Sequence, residues 1–227
     1  MGVISSEKYI LTLKSLANRR VVAVFFLGFA SGLPLALTGG TLQAWMAVEG
    51  VDLKTIGLFS LVGLPYVFKF FWAPLLDRYA LPFLGRRRGW ILGTQLALMV
   101  LIVMLGFTSP KDTPLLVALI ALILTFTSAS QDIVIDAYRT DVLREKERGL
   151  GAAVSVTGYR IAMLASGALA LILAGPLGWR ITYLLMAGLM LIGTMATVFG
   201  PEPEETVRPP ESLKEAAHAL LAMPNIA

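Results

Sequence analysis

Arg160, Asp132 and Asp136 each lie inside or at the edge of a long apolar stretch, where holding a charge at mid-bilayer costs roughly 2.5–3.5 kcal/mol or more. Arginine cannot be neutralised there. Arg160 falls about eleven residues into a run that begins at Gly149. A helix rising 1.5 Å per residue places it about 16 Å deep, near the middle of a hydrocarbon core about 30 Å thick. Thr125, Ser128, Asp132 and Asp136 follow one another at spacings of three and four, so they share a helical face, with Gln131 beside it. An arginine facing two carboxylates inside a bundle can bind a charged solute or relay a proton, because carboxylates respond to burial and to nearby cations. The same residues can instead form a fixed Asp132–Arg160 ion pair that only positions two helices. Asp136, closer to water, suits that structural role better.

Other polar groups carry weaker signals. Lys69 is expected to snorkel to the interface from the end of its span. Gly28, Gly32, Gly39 and Gly40, with Pro34 among them, are expected to let helices approach closely, and otherwise to line a cavity with backbone. Trp45, Trp72, Trp90 and Trp179 fall at expected span ends, where an aromatic belt forms.

These residues need a membrane bundle around them. The 227-residue chain is 56 % hydrophobic and 15 % charged, with a mean hydropathy of +0.75, against about 25 % charged residues in soluble domains. It has no cysteine and one histidine, His218. Thiol chemistry, a histidine-based metal site and a histidine-centred triad are therefore excluded, which argues against a membrane-embedded enzyme. The spacing implies no cofactor. The net charge of +4 raises nucleic acid as a partner only until its distribution along the chain is read.

The apolar runs predict an all-α membrane protein, a six-transmembrane-helix bundle. The expected spans are Val21 to about Ala47, Leu53–Trp72, Trp90–Phe107, Pro114–Ala137, Gly149–Ala174 and Trp179–Phe199. The first is too long for the apolar core of a signal peptide. Asp52 is placed to cap the second span, and Thr113-Pro114 reads as a cap with proline at the first helical position. Residues 73–89 form a basic, proline-containing loop, and Arg139–Arg148 a charged connection. Gly175-Pro176-Leu177-Gly178 turns the chain between the last two spans. Ser212 and Glu215 suggest a capping box in the tail. The chain thus divides into a cytoplasmic segment 1–20, a membrane domain 21–200, and a cytoplasmic tail or linker 201–227.

Basic residues orient the bundle. The N-terminus and the loops after spans two and four hold twelve Lys and Arg, while the opposite loops hold only Lys54, Lys111 and Arg180. The basic side is cytoplasmic, with both chain ends inside.

The string Ala73-Pro74-Leu75-Leu76-Asp77-Arg78, followed by Gly85-Arg86-Arg87-Arg88, resembles the signature between the second and third helices of the major facilitator superfamily. Ala73 stands where glycine is usual, and residues 79–84 lengthen the spacing. That longer loop is similar to the muropeptide permease branch, as are the segments Ser130 to Arg139, Gly158-Tyr159-Arg160, Gly32-Leu33-Pro34 and Leu42 to Trp45. The resemblance covers about residues 20 to 200.

It implies one half of a major facilitator fold and proton-coupled import of anhydromuropeptides from periplasm to cytoplasm, for cell-wall recycling across a bacterial inner membrane. Gln131, Asp132, Asp136, Tyr159 and Arg160 would line the substrate and proton pathway. Asp77, Arg78, Arg86, Arg87 and Arg88 would form a loop charge network. The implied partners are the lipid bilayer, a muropeptide-like solute, protons and a complementary C-terminal six-helix half, with no nucleic acid. The acetyl-coenzyme A transporter branch shares much of this pattern, and a truncated, non-transporting membrane protein is the further alternative.

Overall fold

A computed structural model of the chain describes residues 18–79 and 84–203. The tail pattern at Ser212 and Glu215 lies outside these residues. Among them, five helical stretches are long and apolar enough to cross a membrane: Arg19–Val48, Leu53–Phe71, Arg86–Gly106, Pro114–Val142 and Glu145–Phe199.

The first stretch is bent. Helix α1 (Arg19–Thr38) opens on Asn18, whose side chain accepts from the Arg20 amide, and passes at Gly39 into α2 (Gly40–Val48). Pro34 sits inside α1, where its missing N–H and its ring weaken the turn before the bend.

The second stretch is not the single helix expected. It runs as α3 (Leu53–Leu58), a 3₁₀ turn (Phe59–Gly63), α4 (Leu64–Phe68) and a second 3₁₀ turn (Lys69–Phe71). Gly57 and Gly63 are poor helix formers, and Pro65 supplies no amide to the preceding turn. Asp52 does cap the stretch, accepting from the Thr55 amide at 2.9 Å and the Thr55 hydroxyl at 2.6 Å.

The basic segment at 73–89 is more helical than expected. Ala73–Arg78 forms α5, and the next helix, α6 (Arg86–Gly106), starts within the arginine cluster. Helix α7 (Pro114–Val142) begins at Pro114 as expected but runs past Ala137. Thr113 does not cap it, because the hydroxyl donates back to the Ser109 carbonyl.

After a short 3₁₀ turn (Glu145–Glu147), α8 (Arg148–Leu164) passes through a π-turn (Ala165–Leu169) into α9 (Ala170–Phe199). This last stretch is 55 residues long, about 80 Å if straight against a core of about 30 Å. It leaves helical geometry at Gly178 (φ 78°, ψ 160°), a backbone state open chiefly to glycine.

Helix α1 is the axis of the assembly, packing against α7, α8 and α9. Its seam with α8 explains two of the glycines. A Cβ at Gly28 or Gly32 would stand 2.4 Å from the carbonyl oxygens of Ser155 and Tyr159, and one at Gly158 2.3 Å from that of Phe25. The backbones touch there, as small residues permit in membrane bundles.

The buried apolar residues form two clusters. One gathers Leu33, Leu37, Leu42, Trp45, Leu98, Ile102, Leu124 and Tyr183, and the other Val21, Val24, Leu27, Ile91, Val134, Ile135 and Tyr138. On α6 and α7 the switch from one cluster to the other falls at polar residues, Thr94 and Gln95 and then Thr125 to Asp132, while on α1 it falls at Gly28, three residues before the buried Ser31. A polar layer crosses the bundle between two apolar halves. Trp45 belongs to the core rather than to an interfacial belt. It is 3 % exposed, stacks on Trp179 with centroids 5.6 Å apart, and donates its indole N–H to Glu49 at 2.7 Å.

Candidate functional site

Asp132 is the ionisable centre of the polar layer, only 9 % exposed. Its Oδ1 accepts the Ser31 hydroxyl of α1 at 2.5 Å. Ser31 sits one residue before Gly32, so the same turn of α1 that presses its glycine onto α8 aims its hydroxyl at α7. Gln131 is fully buried next to Asp132, and neither end of its amide has a hydrogen-bond partner among the described residues. One turn earlier, Ser128 is fully buried with its hydroxyl likewise unpartnered.

The broken second stretch is fastened across this region. Thr125 donates to the Val62 carbonyl at 2.7 Å, and Trp72 donates to the Ser130 hydroxyl at 3.0 Å. These two ties bracket Ser128 and set Tyr66 and Lys69 opposite the carboxylate. The Tyr66 hydroxyl is buried without a partner, and Lys69 is the cation whose field reaches Asp132.

Arg160 takes a different place from the one its spacing suggests. It is exposed, with no hydrogen bond or ion pair among the described residues, so the fixed Asp132–Arg160 pair does not form. The helical rotation explains this: Gly158 points at α1, which turns Arg160 away from the seam. Tyr159 is half-buried and close enough for Asp132 and Asp136 to act on it. Asp136 is exposed and pairs with Arg139 on its own helix at 3.1 Å. Asp132 and Tyr159 therefore come near each other, with Gln131 buried next to Asp132 in the chain, whereas Asp136 and Arg160 are exposed.

The loop residues divide into two groups. Arg87 joins Asp77 at the end of α5 to Asp141 on α7, the latter at 3.0 Å, while Arg86 donates to the Asp77 carbonyl. Arg88 turns to α9 instead. It donates to the carbonyls of Thr197 at 2.9 Å and Val198 at 2.7 Å and pairs with Glu202 at 2.7 Å. These carbonyls belong to the last turn of α9, which has no intrahelical partners for them and carries the negative end of the helix dipole. Arg78 is exposed and makes no such contact among the described residues.

Sequence reasoning missed Ser31, Tyr66, Asp141 and Glu202. Ser31 left one signal, a hydroxyl between two glycines in an apolar run. Asp141 is separable from its charged neighbours only once α7 is seen to extend to Val142.

Residues 24–225 match the family model of the Major Facilitator Superfamily. The chain is 57 % identical over 203 residues to a protein of Escherichia coli (strain K12) named anhydromuropeptide permease, covering 89 % of this chain and 41 % of that protein. It is 36 % identical over 189 residues to the putative transporter AmpG 1 of Rickettsia conorii, covering 82 % of this chain and 45 % of the relative. A Haemophilus influenzae protein is 44 % identical over 182 residues, covering 80 % and 43 %. The chain spans less than half the length of these relatives. With the basic string before and within α6, the long apolar helices and the family match all in agreement, the chain belongs to the major facilitator superfamily.

Proposed function

We propose that the chain forms the N-terminal half of a proton-driven importer that carries anhydromuropeptides across the bacterial inner membrane. In this reading the 55-residue last stretch makes two crossings that turn at Gly178, so residues 21–200 form six spans. Segments 1–20 and 201–227 lie in the cytoplasm, where the basic residues gather. A complementary six-helix half closes the other side of the pathway, as transport by rocking of two halves requires.

The observation that carries the proposal is Asp132, a buried carboxylate held by a neutral hydroxyl in a polar layer. A carboxylate in that setting can take up and release a proton without breaking an ion pair. Gln131 and Tyr159 contribute polar groups beside it, and Arg160 and Asp136 face the pathway from the open side of the half. Arg160 is there the cation for an anionic group of the solute. The Asp77–Arg87–Asp141 bridge, with Arg86, Arg88 and Arg78 around it, steadies one conformational state. The identity to a protein named anhydromuropeptide permease supports the solute class.

Uptake of labelled anhydromuropeptide tests the reading, in cells without a permease of their own that express the chain with a complementary second half. Uptake should vanish with a protonophore and with Asp132→Asn, at unchanged membrane levels. Uptake that survives collapse of the proton gradient removes the coupling. Its absence in every format leaves a non-transporting membrane protein.

A further inference from the structure

A cavity of about 200 Å³ lies between the α1–α2 bend and the broken second stretch, lined in part by Thr38, Gln43, Ser60 and Tyr66. That volume holds several waters at about 30 Å³ each. It is displaced from Asp132 along α1: Ser31 touches the carboxylate, and Thr38 follows seven residues later, about 10 Å farther from the arginine-rich end. Between cavity and carboxylate stand two hydroxyls. Tyr66 lies beside Thr38 and Ser128 and within electrostatic reach of Asp132. Ser128 precedes Asp132 by one turn on the same face of α7.

Neither hydroxyl meets full hydrogen-bond geometry among the described residues, although both are buried and close to each other. A buried hydroxyl left unpaired costs about 1–3 kcal/mol, so two in succession call for a reason. A hydroxyl free to rotate can accept a proton on a lone pair while donating its own hydrogen onward. At the far end, Ser31 occupies Oδ1 of Asp132, and Oδ2 has no hydrogen-bond partner among the described residues.

We infer that Tyr66 and Ser128 form a hydroxyl relay carrying protons between this cavity and Asp132, an inference that rests on Asp132 being the proton-binding carboxylate. Hydronium in the cavity gives a proton to the Tyr66 oxygen as the Tyr66 hydrogen passes to Ser128 and the Ser128 hydrogen to Oδ2. The net change is hydronium plus carboxylate to water plus carboxylic acid, with each hydroxyl keeping one hydrogen. The charged and titratable groups around the acceptor are Lys69 on the second stretch, Asp136 on α7, Tyr66 and Tyr159. Lys69 supplies the positive charge in that set. The gaps in the second stretch make room for the cavity, since an unbroken helix would carry Phe59, Ser60 and Gly63 elsewhere.

Time-resolved infrared spectroscopy after a pH jump, on the full chain in liposomes, reads the protonation of Asp132 through the carboxylic-acid carbonyl band that Asp132→Asn removes. Tyr66→Phe keeps the ring and should slow the rise of this band on the order of 100-fold, the lower end of what a positioned proton-transfer group contributes, with its final amplitude unchanged. Ser128→Ala should do the same and provides the test if Tyr66→Phe fails to insert. A band that rises at the wild-type rate in either inserted variant overturns the relay while leaving Asp132 as the proton site. Absence of any Asp132 band in the wild-type chain at all pH values overturns the reading beneath it.

Discussion

Among the described residues Asp132 has one hydrogen-bond partner, and that partner is uncharged. Ser31→Ala would leave the carboxylate buried with no hydrogen bond, which costs about 1–3 kcal/mol. Thermal unfolding in detergent should show the loss at neutral pH. Asp132→Asn keeps the shape and can still receive the Ser31 hydroxyl, so its melting should change little while uptake disappears. Arg160 makes the opposite case. An exposed side chain with no partner among the described residues predicts that Arg160→Ala leaves stability within about 0.5 kcal/mol. Reduced uptake with unchanged melting would place it on the solute pathway, whereas a lower melting temperature would return it to a structural role.

Asp52, at the water-exposed start of the second stretch, carries the pH dependence that is readable from this fold. Hydrogen bonds from the Thr55 side chain, then from its backbone, hold the Asp52 carboxyl below the usual carboxylate range. A lowered folded value means that the cap is fully effective above the unfolded carboxylate pKa of about 3.9 and is lost as pH falls through the folded value. The hydrogen-exchange protection of the Thr55 amide, relative to an unstructured amide at the same pH, should therefore fall on acidification below pH about 4. In Asp52→Asn this acid response should be absent.

Among the helices, the α1–α8 seam is the tightest contact and the least forgiving. Gly32→Ala places a methyl 2.4 Å from the Tyr159 carbonyl, a backbone atom that cannot swing aside. Overpacking of this kind costs about 1–3 kcal/mol. Gly40, where an added methyl would meet nothing within 4 Å, is the matched control, and Gly40→Ala should unfold like the parent. The seam also spaces Ser31 from Asp132, so Gly32→Ala should impair uptake beyond its effect on protein level. The bend at Gly178 is a second weak point. Any L-residue there is strained at φ 78°, at about 1–3 kcal/mol.

Across the whole molecule, basic residues gather at one end, where they are organised rather than scattered. Arg87 stands between two carboxylates from different helices, so Arg87→Gln removes their shared cation and leaves two like charges facing each other. The expected cost is about 1–3 kcal/mol, and adding Asp77→Asn to the same chain should recover part of it. A double-mutant cycle on unfolding in detergent measures that coupling. Arg88, Arg19 and Tyr138 meanwhile hold the last carbonyls of α9 and the start of the following segment. Arg19 donates to Phe199 at 2.7 Å and Tyr138 to Pro201 at 2.6 Å. The helix that begins the bundle and the helix that ends it are fastened at one rim.

The sequence by itself determined that the chain is a bundle of membrane-length helices, where several of them start and which face of α7 is polar. These properties follow from local rules: about 20 apolar residues cross a bilayer, prolines and acidic caps open helices, and spacings of three and four share a face. Asp132 was legible for the same reason, as a charge at a depth where charges are costly. Only the tertiary structure decided its partner. Ser31 lies 101 positions away in an apolar run, and the identity of its neighbour depends on how α1 rotates against α7 and α8. That rotation is set by glycine contacts between backbones, which also turn Arg160 outward. The burial of Trp45 against Trp179 and Tyr183 is likewise decided by contacts between distant segments. Packing between distant segments overrides local preference wherever a side chain can choose between lipid, water and a neighbouring helix.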